Sequence, residues 1–383
     1  MIQKKLNANP KKVFYMVYSL TSGGIEKYSI NIFKYINKNK YKLDFITKLD
    51  REEFFDRKLY EMGGLKIPLG KESRNSVLQR SFTLFRNAYT TAKSGYDLAY
   101  FNLSSPSAVF KYPLICRFAG IRKIIIHSHN SSESKFGLIG KIINFCGRLY
   151  INHIASERFA CSDKAAEWMY GKKIADSKKY TFIQNGLEVD KYTYNKDTRT
   201  KIRKQLGFTD NDFILGHIGR FESQKNHQFM IEMFDILSKR DSSAKLVLIG
   251  VGSLKSKIEA LVKKKGLENK VLFLGEQENV NEFLQAMDVF ILPSLYEGLP
   301  VVGIEAQSAG LKCVFSDTIT KESDITGNVE FVTLDNKNSW VKAIERCKGY
   351  IRTDQFKTIT NAGYNIESTS KLVQEKFDLL LSR

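Results

Sequence analysis

Short apolar runs alternate with helix-length amphipathic segments along nearly the whole chain, and this alternation is the strongest constraint on its fold. An apolar run of strand length that is buried on both faces belongs in a parallel sheet, and parallel neighbours need a crossover, usually a helix. The pattern therefore predicts βαβ units. Strands are expected at 12–20, 42–47, 97–103, 123–129, 158–162 and 180–184, then at 213–219, 245–250, 271–275, 289–293 and 312–316. A helix is expected directly after the Gly23-Gly24 turn, because Ile25, Tyr28, Ile32 and Tyr35 share one helical face. Others are expected at 226–237 and 254–265.

A chain of 383 residues exceeds what one hydrophobic core usually organises. The segment 185–207 is rich in Lys, Asp, Thr, Tyr and Asn and lacks sustained periodicity until its last residues, so the interdomain connection is expected there. Two doubly wound domains follow, 1–187 and 188–367. Ligands of open α/β sheets bind outside the carboxyl ends of the strands, so the cleft between facing domains is the expected site.

Composition narrows the function. With 43% hydrophobic and 26% charged residues the chain is globular, and no apolar run reaches the roughly 18 residues of a membrane-spanning helix. The N-terminus lacks the apolar core and small-residue cleavage site of a signal peptide. Five widely separated cysteines without a C-x-x-C pair suggest neither a disulfide framework nor a zinc site, and fit a reducing cytoplasm. Charge is unevenly spread: residues 1–185 hold 32 Lys and Arg against 14 Asp and Glu, and the remainder 28 against 27. A basic first half attracts a polyanion such as an anionic membrane or a phosphorylated lipid. A nucleic acid is the weaker candidate, because no zinc finger or RNP-type aromatic strand is present.

Four loops carry candidate chemistry. Glu297-Gly-Leu-Pro-Val-Val-Gly-Ile-Glu305 follows an expected strand, and Pro300 suits the first helical position. The helix N-terminus would offer open backbone N–H groups to a diphosphate, with Glu297 available to sugar hydroxyls and Glu305 to a ribose. Gly219-Arg220-Phe-Glu-Ser-Gln-Lys225-Asn226 sets two cations after the second domain's first strand, where they suit phosphate oxygens. Ser22-Gly23-Gly24 allows close backbone approach at the first βα turn. His127-Ser-His129-Asn130 ends a run of three isoleucines, with both imidazoles expected on one face. No carboxylate or cysteine set accompanies the H-x-H pair, so no metal is expected there.

With GGIE, HSHN, GRFESQKN and EGLPVVGIE in this order, the chain resembles glycosyltransferase family 4 of the GT-B fold over nearly its whole length. The resemblance implies retention of anomeric configuration, a nucleotide-sugar donor used without an essential metal or other cofactor, and a C-terminal helix within 368–383 packed back on the first domain. It implies that Gly23 and Gly24 lie near the donor phosphates and acceptor, and that His129 contacts the donor sugar, with His127 as the alternative. Arg220, Lys225 and the backbone of Gly298 and Leu299 would bind the diphosphate, Glu297 the sugar and Glu305 the ribose. Front-face attack assisted by the leaving diphosphate is the expected mechanism.

Such enzymes resemble those that extend lipid-linked saccharides for capsule, exopolysaccharide or cell-envelope glycans at the inner membrane face. A UDP-sugar donor and a lipid-linked or oligosaccharide acceptor are therefore expected. Phe54, Phe55 and Phe85, among Arg51, Arg57, Lys58, Arg80 and Arg86, offer a candidate membrane-facing surface, with core packing as the alternative. A nucleotide-sugar epimerase on the same fold and a non-catalytic glycan-binding partner are the competing readings.

Overall fold

The computed structural model describes residues 9–72, 76–129 and 137–382. It divides into two compact units, one running to Leu187 and resuming at Ile366, the other Glu188–Asn365. The first unit contains seven strands: β1 (Lys11–Met16), β2 (Tyr41–Thr47), β3 (Leu65–Pro68), β4 (Leu98–Leu103), β5 (Ile124–Ser128), β6 (Glu157–Ala160) and β7 (Thr181–Phe182). They pair in parallel in the order β3-β2-β1-β4-β5-β6-β7. Side chains alternate between the two faces of each strand. Thus Phe14, Met16, Ala99 and Phe101 enter one core and Val13, Tyr15, Leu98 and Tyr100 the other. That two-sided burial is why these strands read as continuous apolar runs.

The helix Ile366–Leu381 contributes Ile366, Val373, Phe377 and Leu380 to the second of these cores. Phe377 meets Tyr41 edge to face at 5.2 Å, Asp378 accepts from the Tyr41 hydroxyl, and Lys40 reaches Asp378 at 2.6 Å.

The second unit is a six-stranded parallel sheet, β8 (Phe213–Ile218), β9 (Ala244–Ile249), β10 (Val271–Gly275), β11 (Val289–Leu292), β12 (Lys312–Ser316) and β13 (Val329–Val332), ordered β10-β9-β8-β11-β12-β13. Each unit therefore winds outward in both directions from a central pair, β1 with β4 and β8 with β11. Loops at the carboxyl ends of such a pair diverge to opposite sides and leave a crevice. The architecture agrees with the expected α/β class.

Several expectations are corrected. The first strand ends at Met16 rather than reaching Leu20, and the edge strands β3 and β13 were not anticipated. The segment assigned as the interdomain connection contains the helices Val189–Tyr192 and Lys196–Gln205, both in the second unit. Lys196–Gln205 is held largely through arginines: Arg203 is 2% exposed and donates to the carbonyls of Ala286, Thr209 and Asp212 and to Asp288. Pro300 is the N-cap of the helix Val301–Ser308, one position before the first helical residue. Phe55 lies in the core and Phe54 packs against it, which removes both from the candidate surface, whereas Phe85 is exposed.

Candidate functional site

In the first unit the candidate residues lie at the carboxyl ends of β1, β4 and β5. Gly23 caps the helix Gly24–Tyr35 in an extended conformation. A Cβ at Gly23 would stand 2.2 Å from Glu26 Oε2, so glycine is what lets the first-turn carboxylate fold over the turn. Glu26 Oε1 accepts from Ser19 Oγ at 3.0 Å, and Glu26 and Asn102 line one small cavity. The GGIE motif therefore presents a carboxylate as well as backbone.

The two histidines separate clearly. His127 is buried, with its ring between Tyr28, Tyr100 and Phe159 and Nδ1 2.6 Å from the Tyr100 hydroxyl. Burial holds it well below its ordinary value, so it is a neutral core residue. His129 lies one residue beyond β5, only partly buried, its ring 3.8 Å from that of His127. Nε2 is 2.8 Å from Asn102 Oδ1 and Nδ1 is 3.0 Å from Asn185 Oδ1. Burial pushes His129 down to about 4, which makes the ring neutral, with one donor and one acceptor nitrogen. Asn102 is oriented by its own donation to the Met16 carbonyl at 3.3 Å, so Nε2 donates to Asn102. We assign Asn185 the amide orientation that donates to Nδ1. A ligand contact at Nδ1 would replace Asn185. Asn130 lies outside the described residues.

In the second unit Gly219, Arg220 and Lys225 follow β8, and Glu297, Gly298 and Leu299 follow the adjacent β11. A Cβ on Gly219 would stand 3.2 Å from Lys225 Cε, and one on Gly252 would stand 2.6 Å from the Phe221 backbone, so glycine permits both close approaches. The Lys225 ammonium pairs with Glu297 Oε1, which also accepts from Ser294 Oγ at 3.0 Å. Gln224 ties the same two loops by donating to the Tyr296 carbonyl at 2.9 Å and accepting from Leu295 N at 2.8 Å. Arg220 is exposed. No side chain caps Val301–Ser308; Gly303 N donates to the Pro300 carbonyl at 2.9 Å, which leaves the N–H groups of Val301 and Val302 to a ligand anion. Glu305 is 4% exposed and accepts from the Tyr192 hydroxyl at 3.0 Å.

The structure thus joins Lys225 to Glu297 and orients His129, while leaving Arg220 in solvent. Asn102, Asn185, Tyr192 and Ser294 were missed. For Asn102 a signal existed in the Asn that interrupts the apolar strand Leu98–Leu103; Asn185 and Tyr192 act through contacts distant in sequence, whereas Ser294 lies only three residues before the Glu297 it donates to.

Residues 198–348 match the family model described as glycosyl transferases group 1. The second unit carries a group 1 glycosyl transferase domain. The glycosyltransferase is 28% identical over 368 residues to putative glycosyltransferase EpsF of Bacillus subtilis (strain 168), a match covering 94% of this chain and 95% of that protein. It is 25% identical over 263 residues to the UDP-Gal:alpha-D-GlcNAc-diphosphoundecaprenol alpha-1,3-galactosyltransferase of Escherichia coli, across 66% of this chain and 67% of that one. Among solved structures it resembles Anabaena Alr3699/HepE in complex with UDP and glucose, with TM-score 0.75 and 20% identity over 96% of this chain and 99% of that one. That likeness gives the glycosyltransferase the GT-B fold.

Proposed function

We propose that this glycosyltransferase is a metal-independent, retaining enzyme of family 4 that transfers a hexose-type sugar from a UDP-sugar to a lipid-linked saccharide in capsule, exopolysaccharide or cell-envelope glycan synthesis. The observation that carries the reading is the Lys225–Glu297 pair, on loops following the two strands where the second sheet changes direction. A cation beside a sugar-binding carboxylate, near an uncapped helix N-terminus, is what a nucleotide diphosphate sugar requires. The names of the relatives and of the UDP-bound neighbour support the donor and acceptor classes.

In this reading the second unit binds the donor and the first the acceptor. Arg220, Lys225 and the backbone of Gly298 and Leu299 hold the diphosphate, Glu297 the sugar hydroxyls and Glu305 the ribose. Gly23, Gly24 and His129 meet the donor phosphates, acceptor and sugar from the first unit. The bond from the anomeric carbon to the diphosphate oxygen breaks, and UDP leaves with the electron pair. The acceptor hydroxyl attacks the same face and passes its proton to the leaving phosphate oxygen. Arg220 and Lys225 stabilise the charge that develops there, the role a divalent metal plays elsewhere.

Among the described residues no helix is long and apolar enough to cross a membrane. We place the protein in the cytoplasm, peripheral to the inner membrane face. The test is transfer from UDP-hexoses to a prenyl-diphosphate-linked sugar with and without EDTA, following UDP release and the product's anomeric configuration by NMR. A retained configuration at an EDTA-insensitive rate is expected; inversion, EDTA sensitivity or no transfer would each overturn the corresponding part.

A further inference from the structure

A cavity of roughly 650 Å³ opens in the first unit beside the carboxyl ends of β2 and β3, between them and the helix Val77–Ala92. Its lining includes four cations, Lys48, Lys71, Arg80 and Lys111, against a single carboxylate, Asp50. None of the four lies within ion-pair distance of a carboxylate among the described residues. The rest of the wall is largely apolar, with Leu69 and Tyr112 buried and Leu84 and Phe85 contributed by the helix. The same helix carries Leu78, Phe82, Phe85 and Tyr89 at helical spacing on its exposed surface. Lys111 also lines a neighbouring cavity of roughly 520 Å³, together with Phe110 and Ile143.

Unpaired cations around an apolar wall suit a ligand that is anionic at one end and apolar at the other. A diphosphate matches four cations facing one carboxylate, and an apolar chain matches Leu84, Phe85 and the stripe that continues outward from them. A bilayer face would need a flat surface, whereas this is a concave chamber large enough for a headgroup with its first chain units. We infer that the cavity between β3 and the helix Val77–Ala92 binds the diphosphate and the adjoining chain of a prenyl-type lipid diphosphate, so that Lys48, Lys71, Arg80 and Lys111 form the lipid-anchoring end of the acceptor site. The inference rests on the proposal that the acceptor is lipid-linked, and it deepens that proposal by assigning the cavity.

The probe is geranyl diphosphate, a soluble short-chain prenyl diphosphate, titrated calorimetrically into the full-length protein with saturating UDP present to occupy the nucleotide site. Inorganic diphosphate, geraniol and phosphatidylglycerol vesicles are the comparison arms. The expected result is saturable binding of geranyl diphosphate at least about tenfold tighter than of diphosphate or geraniol, weakened about tenfold or more in Lys71→Glu/Arg80→Glu and also in Phe85→Ala. All three positions are exposed, and unchanged stabilisation by UDP in the variants reports that they are folded. Equal affinity for inorganic diphosphate would overturn the inference in favour of a plain anion site. Charge-dependent vesicle binding without geranyl diphosphate binding would overturn it in favour of a membrane surface, and affinities unchanged in the variants would move the site elsewhere. Failure of UDP to bind wild type would count against the donor reading alone, because geranyl diphosphate is also titrated without nucleotide.

Discussion

Lys225 and Glu297, 72 positions apart in sequence, form an ion pair with both side chains largely buried, 13% and 11% exposed. If Lys225 holds the donor diphosphate and Glu297 the sugar, the pair keeps both groups oriented before substrate arrives. Removing only the cation leaves a mostly buried carboxylate with Ser294 as its remaining hydrogen-bond donor among the described residues.

Lys225→Ala is therefore expected to lower thermal stability and to cut donor turnover by about 100-fold or more, the scale of losing one charge-stabilising group. The double variant Lys225→Ala/Glu297→Gln should regain much of the stability without regaining turnover. Thermal unfolding and UDP release check the two separately, and an active double variant would deny the pair its chemical role.

Glu305→Gln is expected to weaken UDP binding by about tenfold or more, as for loss of a hydrogen bond to a charged group. Tyr192→Phe removes the carboxylate's hydroxyl partner and should have a smaller effect on UDP affinity. Calorimetric titration of both variants gives the comparison. Equal losses would point to a structural role for Glu305.

The central strands were legible because β1, β4, β8 and β11 bury both faces over most of their length and leave predominantly apolar runs. Two of the four edge strands were not: β3 contains a lysine and ends in Pro68, and β13 contains Glu330, with most of its residues only partly buried, whereas the edges β7 and β10 fall where strands were expected. Edges meet fewer neighbours and place fewer demands on composition. Lys196–Gln205 escaped recognition because arginine hydrogen bonds replace much of the apolar stripe that marks a helix. At the site, the motifs located the loops but not their adjacency. The Lys225–Glu297 contact follows from β8 lying beside β11, and strand order is not written in local periodicity. Likewise, both histidines were expected on one face, yet only the structure separates His127 in the core from His129 at the strand end.

Arg203 anchors the start of the second unit by donating to three backbone carbonyls and Asp288. Arg203→Met keeps much of the volume but strands these acceptors, and is expected to cost about 3 kcal/mol. Urea unfolding should show a lowered midpoint with little change in slope.

His227 is 2% exposed and stacked on Phe221 at 4.1 Å, and burial pushes it down to about 4, with Lys225 adding to the shift. The unfolded chain takes up this proton near its ordinary value of about 6.5, before the folded chain does, so stability falls as pH drops. From pH 8 to pH 5 His227 alone should remove about 2 kcal/mol, and His227→Phe should flatten that part of the profile. Denaturant unfolding at the two pH values measures the difference.

The central claim, a nucleotide diphosphate sugar held by the second unit without a metal, is tested most directly by thermal unfolding with UDP, GDP, ADP or UDP-glucose, each with and without EDTA. Ligand at about 100 times its dissociation constant adds about 2.7 kcal/mol, enough to read as a shift. The account predicts stabilisation by UDP and UDP-glucose that EDTA leaves intact and Lys225→Ala diminishes. No stabilisation by any nucleotide, or stabilisation that disappears with EDTA, would contradict it.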